Sequence, residues 1–121
     1  MAGVTSYREL IAWQKAVDLV VTVYKVTDQL PSDEKFGLTH QVRRAAVSVP
    51  SNIAEGQGRS SVNEFLRFLS ISRGSLCELE TQILIAQRLG FISDLERDHV
   101  LRDADEVGRL LRGLSRSIGP R

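Results

Sequence analysis

At three places in this 121-residue chain a serine with a glutamate three positions on stands directly ahead of an apolar seam: Ser6 with Glu9, Ser61 with Glu64, and Ser93 with Glu96. That spacing is a capping box. The serine oxygen accepts an N–H of the first helical turn, and the glutamate reaches back to the N–H of the cap residue. Three such starts in so short a chain leave little room for anything but helices.

The seams behind the caps keep a helical step. Leu10, Trp13, Val17, Val20, Tyr24 and Thr27 alternate steps of three and four until Pro31 stops the pattern. A second helix starts between Asp33 and Thr39, with Val42, Ala46, Val49 and Ile53 as its stripe. Pro50 lies inside it and predicts a kink, because proline lacks the N–H and crowds the carbonyl four residues back. Gly56 and Gly58 are expected to end it through the left-handed conformation that glycine tolerates. Phe65, Leu69, Ser72, Leu76, Leu79, Ile83 and Ala86 form the third seam, widened by Leu66 and Phe68, with Gly90 as its terminator. Val100, Ala104, Val107, Leu111, Leu114 and Ile118 form the fourth, closed by Gly119 and Pro120.

No alternating strand pattern competes. The expected fold is therefore all-α: one antiparallel up-down four-helix bundle over residues 1–121, with helices at about 7–30, 36–57, 62–89 and 94–118. Met1–Thr5, the Ser32–Gly37 connection and the last residues are the segments expected to be flexible.

Cys77 is the one cysteine, so no intramolecular disulfide can form, which suits a reducing compartment. The start of the chain lacks a basic stretch followed by an apolar run, and no segment reaches the roughly 20 apolar residues that span a bilayer. A cytoplasmic location with no membrane contact is expected. The net charge is +1, which does not announce a nucleic-acid binder. Charge is segregated all the same. Lys35, Arg43, Arg44, Arg59, Arg67 and Arg73 precede an acidic stretch from Asp94 to Glu106, and Arg109, Arg112, Arg116 and Arg121 follow it.

The second helix is unusual. At about 100° per residue, Ala45 widens its apolar arc on one side and Pro50, Ala54 and Val47 widen it on the other, to about half the circumference. Arg44, Ser48, Ser51, Asn52 and Glu55 gather in the remaining band. A helix that buries one stripe in its own bundle needs no such arc, so a second burial against another subunit is expected.

Gln41-Val42-Arg43-Arg44-Ala45-Ala46-Val47-Ser48-Val49-Pro50-Ser51-Asn52-Ile53-Ala54-Glu55-Gly56 closely resembles the signature of the 23S rRNA intervening-sequence proteins, also called four-helix bundle proteins. Tyr7-Arg8-Glu9-Leu10 and Trp13-Gln14-Lys15-Ala16 resemble that family's first helix. Phe65 to Ile71, Gly74 to Thr81 and Ala86 to Gly90 resemble its third. The likeness runs in order over about residues 7–92. It implies a bacterial four-helix bundle that assembles into five-membered rings, and it supplies no catalytic residue. The accessory proteins of diversity-generating retroelements are a similar group, from whose strongly basic character this chain departs.

The residues offer little chemistry. His40 and His99 are far apart, and Glu96-Arg97-Asp98-His99 is a single Glu-x-x-His where a di-iron bundle needs two, so no metal or other cofactor is expected. Cys77 reads as a small packing residue. The glycine loop Glu55–Ser61 lacks the lysine and spacing of a phosphate-binding loop. A non-enzymatic, oligomeric scaffold or adaptor for a protein or ribonucleoprotein partner is the leading expectation. Its subunit seam or polar cluster would draw on Arg43, Arg44, Ser48, Asn52, Ala54, Glu55, Arg73, Glu78 and Glu80, where arginine can pair bidentately with carboxylate. The alternative is a direct RNA- or DNA-binding module, its phosphates met by Arg59, Arg67, Arg109, Arg112 and Arg116. Tyr7, Trp13 and Tyr24 read as core of the first helix rather than base-stacking platforms.

Overall fold

The computed structural model describes residues 6–119, so Met1–Thr5 and the last two residues lie outside it. Four helices follow one another: α1 (Ile11–Thr27), α2 (Leu38–Gln57), α3 (Val62–Arg88) and α4 (Asp94–Ile118), with short 3-10 turns at Tyr7–Glu9 and Ser32–Glu34. Among the described residues there is no strand. Each helix packs on its neighbours in sequence, and α4 closes on α1, while the backbones of the diagonal pairs α1–α3 and α2–α4 stay apart. With short connections, that is an up-down four-helix bundle. All four helices feed one core, in which Leu19, Val23, Val42, Val49, Ile53, Leu69, Leu79, Ile83, Val100, Val107 and Leu111 are sealed from solvent.

The three serines cap to different degrees. Ser93 and Glu96 form the full box: Glu96 N–H donates to Ser93 Oγ at 3.1 Å and Ser93 N–H donates to Glu96 Oε1 at 2.8 Å. Ser61 Oγ accepts from Glu64 N–H at 3.0 Å, but the Glu64 carboxylate is taken by Arg67 instead. Ser6 accepts from Arg8 N–H and caps only the 3-10 turn; Leu10 is then extended, and α1 begins at Ile11. The first helix is thus shorter than its cap signal predicts at both ends, stopping at Thr27. The Ser32–Gly37 connection, expected to be flexible, is a chain of turn hydrogen bonds (Lys35 N–H to Ser32 O, Gly37 N–H to Glu34 O). Glu34 Oε1 accepts Leu38 N–H at 3.0 Å, supplying the cap for α2 that Gly37 cannot.

The α3 seam is buried throughout, as its spacing predicts, and so are Val100, Ala104, Val107 and Leu111 of α4. The α1 seam is displaced by about one residue. Ala12, Ala16, Leu19, Val23 and Thr27 are buried, while Trp13, Val17 and Val20 are half-buried and Tyr24 is exposed. α1 is apolar around most of its girth, so periodicity alone does not choose the centre. The small side chains of Ala12 and Ala16 take the tightly packed line, and Trp13 sits on the flank, edge-on to Tyr7 at 5.3 Å.

Two glycines also work differently from expectation. Gly58 ends α2 in right-handed geometry (φ −77°), and Gly56 is buried inside the helix against α3. Gly90 does take the left-handed form (φ 79°) and closes α3: its N–H donates to Gln87 O and Phe91 N–H to Ala86 O, the paired bonds of a Schellman end. α2 runs unbroken across the buried Pro50. Cys77, read as a packing residue, lies exposed on α3. No helix is long and apolar enough to cross a membrane.

Candidate functional site

Surface grooves lie between neighbouring helices, and three of them divide the polar residues singled out from the sequence. The first is a polar cleft of about 320 Å³ between α2 and α3, lined by Gln41, Arg44, Ala45 and Ser48 on one side and Ser75, Glu78 and Gln82 on the other. Small residues let the two helices approach closely here. Ser48 Oγ and Ser75 Oγ share a hydrogen bond of 2.8 Å, and Asn52 Nδ2 donates to Ser48 O and Oγ. Ser72 Oγ donates to Val49 O at 2.8 Å, deeper in the same seam. Gln82 Oε1 is buried without a donor among the described residues. Arg44 and Glu78 share the cleft but form no ion pair there. The polar groups at its floor thus hold α2 to α3.

The second groove, of about 500 Å³, lies on the α1 side of α2 and is lined by Tyr24, Lys35, Phe36, Thr39, His40, Arg43, Arg44 and Val47. It sets the apolar groups of Tyr24, Phe36 and Val47 among the basic side chains of Lys35, Arg43 and Arg44. Phe36 is 87% exposed and Val47 40%. Arg43 does not join the α2–α3 cluster. Its guanidinium lies over the Tyr24 ring at 4.4 Å and donates to Thr27 Oγ1, Tyr24 O and Asp28 Oδ1, tying α2 to the carboxyl end of α1. The cationic group there also meets the negative end of the helix dipole.

The third groove, of about 610 Å³, lies between α3 and α4 and is lined by Leu66, Arg73, Arg112, Ser115, Arg116 and Gly119. Arg73, expected beside the α2 residues, is here instead, together with Arg112 and Arg116 from the expected phosphate set.

The other expected residues are scattered. Arg59 pairs with Glu55 at 2.8 Å and Arg67 with Glu64 at 3.0 Å, and the two guanidiniums flank the Phe68 ring at 5.0 and 4.6 Å. That bond from Arg67 holds the Glu64 carboxyl below its ordinary pKa. Arg109 pairs with Asp105 one turn back. Glu80 is half-buried, and its pKa is pushed up by burial first and then by the nearby Asp105 charge. Ala54 is half-buried on α2. The single expected cluster is therefore split among the α1–α2, α2–α3 and α3–α4 sides. Gln41, Ser75, Gln82, Phe36 and Ser115 carry no site expectation from the sequence, and Leu66 reads there only as widening the third seam. Ser75 and Gln82 carried a signal, being polar positions flanking the third seam.

Among the described residues no group of three or more His, Cys, Asp or Glu is placed to hold a metal ion. Glu96 is engaged in its capping box, and His99 lies 3.3 Å from Asp103.

None of the curated proteins matches the chain. A solved structure does: a protein of unknown function from the S23 ribosomal protein family of Bacteroides thetaiotaomicron, 21% identical, with a TM-score of 0.81 over 88% of this chain and 96% of that one. It shares the fold. The family model of the 23S rRNA-intervening sequence protein matches residues 8–113, most of the bundle, and the chain belongs to that family.

Proposed function

We propose that this chain works by assembly: a homo-oligomer, expected to be a five-membered ring in the cytoplasm, that serves as a non-enzymatic scaffold or adaptor for a protein or ribonucleoprotein partner. The observation that carries this reading is the groove beside α1 and α2, where the apolar side chains of Tyr24, Phe36 and Val47 are exposed together on one surface. Aromatic and aliphatic groups concentrated on one face are what subunit interfaces use, and obligate ones are the most apolar. A second copy of the chain is the occupant proposed. Of the wide arc of α2, Ala45 and Pro50 are buried in the bundle itself, and Val47 is its exposed member. The rings implied by the family resemblance support the same reading.

Light scattering of the full chain and of Val47→Glu tests it. A five-subunit mass that falls in the variant supports assembly through this face. A monomer in the intact chain overturns the oligomer, and a variant with unchanged mass removes this face from it. Val47 is exposed, so its substitution leaves the bundle core untouched.

A second reading, direct contact with RNA or DNA, draws on the arginines of the α3–α4 groove.

A further inference from the structure

Some arginines of this chain hold a carboxylate and others, Arg44, Arg88 and Arg102 among them, hold none among the described residues. Arg43, Arg59, Arg67, Arg97 and Arg109 each hold a carboxylate. Arg73, Arg112 and Arg116 hold none among the described residues, yet they line one groove, together with the Ser115 hydroxyl. No carboxylate lines that groove. Arg112 and Arg116 are four apart on α4 and so share a face, and Arg73 meets them from α3. Three guanidiniums gathered without a counter-charge repel one another, and an anion placed among them relieves that repulsion.

The lining narrows what the anion is. A carboxylate is planar and fills one guanidinium fork, whereas a phosphate presents oxygens in several directions to donors arriving from two walls. The groove is open to solvent along its length, unlike the enclosed pockets that bury most of a small ligand. Its apolar wall is Leu66, with no aromatic ring to clamp a base. We propose that this groove binds the phosphodiester backbone of a nucleic acid, through Arg73, Arg112, Arg116 and Ser115, without reading its sequence. The proposal rests on the nucleic-acid reading above and gives it a place. A net charge of +1 does not oppose that role, because three guanidiniums meet in this groove with no carboxylate among its lining residues.

The test is fluorescence anisotropy of a labelled RNA hairpin with the full chain, across a salt series. Arg112→Gln/Arg116→Gln is compared with Arg59→Gln/Arg67→Gln, which removes the same charge from carboxylate-paired positions. All four side chains are exposed, and circular dichroism checks that each variant folds. The groove variant should bind at least about tenfold more weakly, and its slope of log affinity on log salt should shrink by about 1.4 to 1.8, the share of two phosphate contacts. The paired-arginine variant should stay within about twofold of the intact chain. No binding by the intact chain overturns the nucleic-acid reading itself. Undiminished binding by the groove variant overturns this site while leaving that reading. Equal losses in both variants mean diffuse charge and no groove. Full competition by micromolar pyrophosphate means a small phosphate ligand, which also overturns the proposal.

Discussion

Gly56 of α2 and Phe68 of α3 are packed so closely that a Cβ built on the glycine would lie 2.7 Å from the Phe68 Cβ, and 3.1 Å from Phe65 Cδ1. The nearest obstacle is the first side-chain carbon, whose place the backbone fixes, not the free end of a side chain, so a rotamer change cannot clear it. This contact fixes how near the carboxyl end of α2 comes to the amino end of α3. Gly56→Ala is therefore expected to destabilise the bundle by about 1–3 kcal/mol, the usual cost of overpacking, despite alanine's better helix propensity. Urea unfolding checks it. A midpoint equal to or above that of the intact chain would show that the helices can move apart freely.

Arg43 offers a comparison between charge and geometry. Its ion-pair partner Asp28 has a side chain that is 80% exposed, where an ion pair is worth little. Its bonds to Thr27 Oγ1 and Tyr24 O, and its stacking on Tyr24, lie closer to the bundle. Arg43→Met should cost about 1–2 kcal/mol, the scale of charged hydrogen bonds lost, while Asp28→Asn should cost less than about 0.5 kcal/mol. Equal losses in the two variants, read from denaturant midpoints, would make the ion pair the true link.

The bundle was readable where local chemistry decides it. α3 and α4 begin behind Ser61 and Ser93 and α3 ends at Gly90, because a cap or a left-handed glycine needs only its own turn. α1 differs from its sequence reading because Ser6 caps a short 3-10 turn, and because one polar stripe (Gln14, Lys15, Asp18 and Lys25) leaves an apolar arc too broad for periodicity to choose its centre. Gly56 looked like a terminator, since its reason lies on another helix. The same limit governs the site. The pairs Glu55–Arg59, Glu64–Arg67 and Asp105–Arg109 sit three or four residues apart and are visible in sequence. That Arg43 turns to α1, and that Arg73 meets Arg112 and Arg116, depends on which helices are neighbours and how each is rotated.

The unequal caps give a graded expectation. At Ser93 both partners of the box are bonded, and the glutamate is bound to Gln29 of the α1 end as well. At Ser61 only the serine half is made. Ser93→Ala is expected to cost about 1–2 kcal/mol and Ser61→Ala about 0.5–1 kcal/mol, the upper and lower parts of the range for caps. The Glu96 carboxyl is held below its ordinary pKa, first by the Ser93 N–H and next by Gln29. Its contribution is therefore present above the unfolded value and is lost as pH falls through the folded one. Melting from pH 7 to pH 3 should narrow the gap between the intact chain and Glu96→Gln. A constant gap would assign the effect of Glu96 to packing.

Glu80 should show the opposite sign. Burial on α3 and then the Asp105 charge raise its pKa above the ordinary 4.5, so the folded chain keeps this proton to higher pH than the unfolded chain does. Below the unfolded value both states are protonated and the group contributes nothing. As pH rises through the window between the two values the folded state loses stability, and above the folded value the full penalty stands. Glu80→Gln keeps the shape and removes the charge. It should stabilise the bundle at pH 7.5 by about 0.5 kcal/mol or less, because solvent screens a half-exposed carboxylate, and change nothing at pH 3.5. Urea midpoints at the two pH values decide the matter. A gain of the same size at both would trace the effect to amide packing, and a loss at pH 7.5 would mean that the carboxylate holds a favourable partner on this face.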